Sequence, residues 1–258
     1  MDGDFLTVAR EAACAGGQVL RRLFGTNLEV VKKGAIDLLT RADLESEQAV
    51  RSRLESAFPD HGFLLEEGGC VRREAEWLWV VDPLDGTTNF AHGYPVFCVS
   101  IGLLRRGEPV LGVVCDPLRD ELFWAQRGAG AWMNGRRLAV STRETLPEAL
   151  LVTGFPYDIH TNPGDVIELL GRFLLQAQAV RRDGSAALDL CYVAAGRVEG
   201  FWERRLKPWD TAAGAIIVTE AGGRVTRFDG TPYSIFDPDI LASNGLLHGP
   251  MRDVIAGG

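Results

Sequence analysis

The chain has 258 residues, 46% of them apolar, and a net charge of −8 at neutral pH. That length buries a large core as one large domain or two lobes, and the acidic balance argues against a nucleic-acid surface, which needs a basic face to neutralise phosphates. Five scattered cysteines with no CxxC pair suggest neither a disulfide framework nor a zinc cage and read as reduced packing residues; no stretch reaches membrane-spanning length, and the N-terminus lacks the basic start and apolar run of a secretion signal. A cytoplasmic protein acting on small molecules is expected.

Residues 4–24 place Phe5, Val8, Ala12, Val19 and Leu23 near one face at helical spacing, and residues 42–57 repeat the pattern with Leu44, Val50 and Leu54. From Trp77 the periodicity changes to short β-rich runs, "WLWVVD", "FCVSIGLL", "EPVLGVVCD", "ELFWAQ" and "AWMNGRRLAV", the last with Asn134-Gly135 suited to a two-residue hairpin turn. These predict a mostly antiparallel sheet. Beyond about residue 147 strands and helices alternate: strand 149–154, helix 164–177, strand 179–183, helix from Ser185, strand 199–203, helix from Thr211, and strands 223–228 and 239–244. The sum is a layered α+β sandwich with two lobes, 1–145 and 146–258.

Within it, "WVVDPLDGTTNF" (79–90) ends a buried strand in Asp82, turns at Pro83 and offers Gly86-Thr87-Thr88 as a helix start. A helix start draws anions through its free N–H groups, yet two carboxylates beside it repel a phosphate and each other unless a cation lies between them. Hard oxygen donors of this kind suit Mg²⁺. "FLLEEGG" ends another apolar run in Glu66-Glu67, and "KPWDTAAGAIIVTEAGG" puts Asp210 at the head of an apolar helix. Singly, these read as a solvated turn and a helix cap; together they form the constellation of a multi-metal phosphatase. A nucleophilic mechanism lacks its parts, because the four histidines form no HExxH pair and Cys115 has no glycine-arginine cradle. The glycines near Gly128 sit in a hairpin pattern, which sets aside a dinucleotide fold.

The two long motifs, with "GVVCDPLRDELFWAQRGAGAWMNGRRLAVS" and "RRDGSAALDLCYVAAGRVEGFWE" between them, resemble the inositol monophosphatase family of lithium-sensitive, magnesium-dependent phosphatases, over nearly the whole chain. The resemblance implies an αβαβα sandwich of the inositol monophosphatase and fructose-1,6-bisphosphatase type. It implies that Glu66, Asp82 and the Leu84 carbonyl hold one Mg²⁺ and Asp82, Asp85 and Asp210 a second, with a third, weaker ion near Glu66 and Mn²⁺ a possible substitute. Asp43, Glu66 and Thr87 would serve an attacking water, Gly86 and Thr87 the phosphate, and Asp85, Gly184, Ser185, Ala186 and Glu203 the alcohol. The implied activity is in-line hydrolysis of inositol 1-phosphate or a similar polyol phosphate by a metal-activated water. Alternatives are fructose 1,6-bisphosphate, 3′-phosphoadenosine 5′-phosphate, histidinol phosphate or NADP as substrate, or a non-catalytic regulatory binding protein on the same fold. A homodimer, a small phosphorylated metabolite as ligand, and no nucleic-acid or membrane partner complete the expectation. Two departures stand out: Leu65 replaces the glycine usual before the metal-binding glutamate, and Arg204 and Arg205 follow Glu203, where they could meet a second phosphate.

Overall fold

Side-chain alternation along the strands decides the architecture. The computed structural model describes residues 5–26, 30–32 and 38–257. The chain runs α1 (Phe5–Leu23), β1 (Val30–Lys32), β2 (Leu38–Thr40), α2 (Arg41–Ala57), β3 (Gly62–Leu65), β4 (Gly69–Val71), β5 (Trp77–Asp85), α3 (Thr87–Ala91), β6 (Cys98–Arg105), β7 (Glu108–Asp116), β8 (Glu121–Gln126), β9 (Ala131–Met133) and β10 (Arg136–Arg137). It continues through β11 (Leu150–Thr153), α4 (Val166–Leu174), β12 (Ala179–Arg181), α5 (Ala186–Ala194), β13 (Gly200–Arg204), α6 (Pro208–Glu220), β14 (Arg224–Thr226), β15 (Asp239–Ser243) and α7 (His248–Ala256).

Two sheets result. The first has eight strands in the order β10-β9-β8-β7-β6-β5-β3-β4, antiparallel except where β3 meets β5; the second has the order β12-β11-β13-β15-β14, parallel around β11 and antiparallel around β15. Both faces of each sheet are covered, because neighbouring residues on a strand enter different cores. Val99, Ile101 and Leu103 of β6 pack with α1 and α2, whereas Cys98 turns the other way, toward α5 and α6. In the second sheet Ile240 and Ala242 join that same middle cluster, and Leu241 faces α4 and α7 through Phe173, Met251 and Val254. The layers are therefore α1/α2, sheet, α5/α6, sheet, α4/α7, the αβαβα sandwich expected from the sequence. Val114 and Phe123 of the first sheet, Leu188 and Ile217 of the middle helices, and Val152 and Phe201 of the second sheet share one apolar cluster.

Close approach between layers comes from missing side chains. Gly102 and Gly112 are register partners on β6 and β7. A Cβ at Gly102 would lie 2.7 Å from that of Ala212, and one at Gly112 would lie 2.5 Å from the Ala213 carbonyl oxygen, so the glycine pair opens the groove in which α6 rests. On the outer face, a Cβ at Gly16 of α1 would lie 2.8 Å from Ser46 Oγ and 2.9 Å from Val50 of α2. Helix α2 starts on a capping box: Thr40 accepts from the Ala42 N–H at 3.1 Å, and Asp43 Oδ2 accepts from the Thr40 N–H at 2.7 Å.

The main departure from the sequence reading lies at the opening motif. Strand β5 does not end at Asp82; its pairing with β6 resumes at Asp85 after a register shift, with Asp82 opposite Ser100 and Asp85 opposite Cys98. Pro83, which cannot donate to the ladder, sits within this bulge. The helix expected over 164–177 is shorter, Val166–Leu174, and the strands β1 to β4 were not foreseen. Asn134 and Gly135 do form the hairpin turn, with φ of 49° and 81°.

Gly112→Val would drive two methyl groups into the backbone of α6. A loss of about 1–3 kcal/mol of unfolding free energy is expected in urea titration; an unchanged midpoint would show that α6 does not depend on this groove.

Candidate active site

The bulge in β5 sets the direction of two carboxylates. In a regular strand, residues three apart point to opposite faces. Here Asp82 and Asp85 oppose Ser100 and Cys98, which are two apart, so the extra residue turns both aspartates to the same side. On that side lie the starts of three helices. Helix α3 follows directly on Asp85 through Gly86, whose φ of 102° and lack of a Cβ are both required, since a Cβ would come 2.9 Å from the Val96 carbonyl oxygen. Helix α5 aims its first turn at Asp85, whose Oδ2 accepts from Ser185 Oγ and from the Ala187 N–H, each at 2.7 Å. Helix α6 carries Asp210 in its own first turn, where Oδ2 accepts from the Lys207 N–H at 2.7 Å.

Electrostatics tie Asp82, Asp85, Asp210 and Glu66 into one cluster. Burial pushes the Asp82 pKa well above the ordinary carboxylate range, and the charges of Glu66, Asp85 and Asp210 push it further. The Glu66 carboxyl group lies close beside that of Asp82, and this contact raises Asp82 further still. Asp210 is raised by burial and then by Asp85; Asp85 is raised by burial to about 6, held there by its hydrogen bonds from Ser185 and the N–H groups of α5. Of the four, Asp82 is sealed from solvent and the other three keep some surface open.

This is the donor chemistry of a hard divalent cation, which would relieve the repulsion. Among the described residues, no three His, Cys, Asp or Glu side chains are already drawn together as a cage that would hold a metal. The carboxylates share an electrostatic field rather than a finished set of ligand distances.

Asp43 and Thr87, both expected near the attacking water, are brought together. Thr87 Oγ1 lies 2.9 Å from Asp43 Oδ1 and 3.0 Å from the Leu84 carbonyl oxygen, both within reach of its single proton, and both side chains are buried. Because Asp43 Oδ2 is taken by the cap of α2, Asp43 Oδ1 is the atom turned toward the site. The dipole argument for phosphate at α3 is weaker than the sequence suggested, because this helix has only five residues; its free N–H groups remain.

A cavity of about 60 Å³ opens beside the cluster, lined by Asp85, Gly184, Ser185, Ala186 and Glu203 of the expected alcohol side and by Gly86 of the expected phosphate side, and reaching Asp210. Burial raises the Glu203 pKa to about 8 against the pull of the Arg182 guanidinium. Gly154 makes room for it: a Cβ there would lie 2.2 Å from Glu203 Oε2. Ser185 and the start of α5 orient Asp85 as well as lining the cavity.

Sequence reasoning missed several supports. Asn89 Nδ2 donates to the carbonyls of Val96 and Asp183, both at 2.8 Å, clasping the loop before Gly184 to the opening motif. Ser46 Oγ donates to the Pro83 carbonyl at 2.7 Å, and Glu47 accepts from the Glu67 N–H at 2.9 Å, so α2 braces both acidic loops. Arg182 and Tyr157 line the cavity, with the Arg182 guanidinium 5.4 Å from the Phe155 ring centroid. Arg204 and Arg205, raised as partners for a second phosphate, are engaged elsewhere: Arg204 pairs with Asp165 at 2.7 Å and Arg205 with Asp158 at 3.1 Å.

The raised pKa values carry a signed consequence. Without metal, the folded chain holds more protons than the unfolded chain above the ordinary carboxylate pKa of about 4, so stability falls as pH rises beyond it. In chelator, the Tm is expected to drop between about pH 5 and pH 8, with Mg²⁺ restoring more at the upper end. A metal-free Tm that climbs over that range contradicts the mutual repulsion.

Comparison with known proteins gives a consistent picture. The family model described as "Inositol monophosphatase family" matches residues 2–255. The chain is 45% identical over 255 residues to the inositol-1-monophosphatase of Synechocystis, covering 98% of this chain and 88% of that one. It is 44% identical over 247 residues to the Nus factor SuhB of Pseudomonas aeruginosa, covering 93% and 91%. The crystal structure of the extragenic suppressor protein SuhB from Bartonella henselae superposes with a TM-score of 0.94 at 41% identity, covering 98% of both chains.

Proposed function

The chain belongs to the inositol monophosphatase family, and on that premise we propose that it is a Mg²⁺-dependent phosphomonoesterase whose substrate is inositol 1-phosphate or a similar polyol phosphate. The observation that carries this reading is the buried Asp82 carboxyl group in the field of Glu66, Asp85 and Asp210. Glu66, Asp82, the Leu84 carbonyl, Asp85 and Asp210 are the groups to hold the ions. Bound Mg²⁺ supplies Lewis acidity toward the phosphoryl oxygens and acidifies water.

The remaining work falls to the chain itself. Thr87, its hydroxyl set between Asp43 and the Leu84 carbonyl, orients the attacking water together with Glu66. The N–H groups of Gly86 and Thr87 face the phosphate oxygens and stabilise the charge that spreads over them during in-line displacement. Glu203, with its pKa raised to about 8, is largely protonated at neutral pH and donates to a hydroxyl oxygen of the alcohol. Asp85 and the N-terminus of α5 complete that side, through Gly184, Ser185 and Ala186. The pairing of Arg204 and Arg205 with surface aspartates favours a monophosphate over a bisphosphate. A cytoplasmic homodimer, inhibited by lithium, is part of the same reading.

The test is phosphate release from inositol 1-phosphate, fructose 1,6-bisphosphate, 3′-phosphoadenosine 5′-phosphate, histidinol phosphate and NADP, with Mg²⁺ and with chelator. Inositol 1-phosphate is expected to lead, and chelator to abolish turnover. Asp82→Asn should lower the Mg²⁺-dependent rate by about 10²-fold or more with an unchanged circular dichroism spectrum; near-normal turnover in that variant refutes the assignment. Glu203→Gln, which keeps a neutral donor, should hold KM within about 5-fold, while Glu203→Ala should raise it further. Equal effects from both substitutions would remove the donor role.

A further inference from the structure

Two thiols that the phosphatase chemistry leaves unused meet on the far side of the first sheet. Cys14, on α1, and Cys115, near the end of β7, line the same surface cleft, close enough for each thiol to perturb the other. The contact depends on how closely α1 settles on the strand: a Cβ at Gly17 would lie 3.0 Å from Cys115 Sγ and 3.4 Å from the Pro117 Cβ. Access is unequal. Cys115 is 8% exposed, whereas Cys14 is half-buried and lines two surface clefts, one of about 250 Å³ shared with Cys115 and one of about 280 Å³ shared with Glu11 and Arg53. A small solute therefore reaches the Cys14 sulfur first and finds the Cys115 sulfur behind it.

The chemistry of the two sulfurs differs in the same sense. The neighbouring Cys115 thiol, aided by Arg10 and opposed by burial, brings the Cys14 pKa down to about 7, and Cys14 together with burial pushes Cys115 up. Cys14, the more accessible of the two, is also the one that ionises more readily. A low-pKa, accessible thiolate with a second thiol beside it is the arrangement that oxidants select. Cys98 and Cys191 are sealed in the core with raised pKa values, and Cys70 is exposed on β4.

We propose that Cys14 and Cys115 are a modification site for hydroperoxides, closing to an intramolecular disulfide with Cys14 as the attacked and Cys115 as the resolving residue. In the first step the Cys14 thiolate attacks the distal peroxide oxygen; the S–O bond forms, the O–O bond breaks, and the alkoxide or hydroxide leaves and takes up a proton. In the second, the Cys115 sulfur attacks the Cys14 sulfur; the S–S bond forms, the S–O bond breaks, and hydroxide departs as water with the Cys115 proton. Two electrons pass from the thiols to the peroxide, and the products are a disulfide, an alcohol or water, and water. The link fastens α1 to β7. Through the close packing of Gly16 on Ser46, whose hydroxyl holds the Pro83 carbonyl, it also braces the layer on which the acidic cluster rests.

The experiment treats the reduced full-length chain with stoichiometric hydrogen peroxide, blocks residual thiols and maps peptides without reduction. Expected are an intact mass about 2 Da lower and one cross-linked peptide pair joining Cys14 to Cys115. The oxidised form should melt several degrees higher, and a dithiol should reverse the shift. Cys14→Ser and Cys115→Ala should each abolish the link; should the buried substitution prevent folding, Cys14→Ser and the wild-type peptide map decide the matter. Stable oxygen adducts on Cys14 without a cross-link, a dimer linked through Cys70, or no consumption of peroxide overturns the proposal. An oxidised form that melts no higher overturns the bracing.

Discussion

Repulsion among desolvated carboxylates is the constraint around which the rest of the molecule is arranged. Asp82, Asp85, Asp210 and Glu66 come from three separate segments; burial raises the pKa of all three aspartates, and neighbouring carboxylate charge adds to it at Asp82 and Asp210. A fold gains nothing from such an arrangement by itself, since bringing like charges out of water costs stability. Its presence in a chain with a well-filled core marks a place where stability has been given up for binding. The cluster is tolerable because positive ends of helices face it: the N–H groups of α5 reach Asp85, and Asp210 sits within the first turn of α6.

Backbone geometry, more than side-chain choice, builds this arrangement. One bulge in β5 turns Asp82 and Asp85 to the same side, and one left-handed glycine, Gly86, turns the chain from strand to helix immediately after them. Around this frame, absent side chains create the necessary space. The Glu203 carboxylate occupies the volume that any side chain at position 154 would need. The Gly102–Gly112 pair lets α6 lie low on the sheet, bringing its acidic first turn within the field of β5. Polar clasps then hold loops that have no apolar anchor: Ser46 on Pro83, Glu47 on Glu67, and Asn89 on the carbonyls of Val96 and Asp183.

The sequence showed the acids of the site because each interrupts a pattern: an apolar run ends in Glu66, another in Asp82, and an apolar helix begins at Asp210. The long helices and the strands from β5 to β8 were legible for the same reason. The bulge was not, since it exists only in the pairing of β5 with β6, and nothing local distinguishes it from a turn at Pro83. Strands β1 to β4 run to three or four residues, too short for alternation to register. Arg204 and Arg205 looked like ligands for an anion because Asp158 and Asp165 become their partners only in three dimensions. Cys14 and Cys115 read as unrelated packing residues for the same reason, being far apart along the chain. Gly154 left a faint signal, a glycine ending the run "ALLVTG", whose meaning depends on a glutamate in another strand.

The position of α5 and α6 between the two sheets bears on how the protein is made. Both helices are apolar on nearly every side because both sides are covered. The first sheet is complete in sequence by β10, whereas the helices that shield its inner face emerge from the ribosome much later, and α6 follows almost the whole of the chain. Until then Val114, Phe123 and the glycine groove stand against water, a wet apolar surface on the nascent polypeptide that invites chaperones or sticks to its neighbours. Final closure therefore waits on the C-terminal quarter of the chain, and a ribosome that stalls before residue 186 leaves a product with every strand of its larger sheet and neither of the helices that bury its inner side.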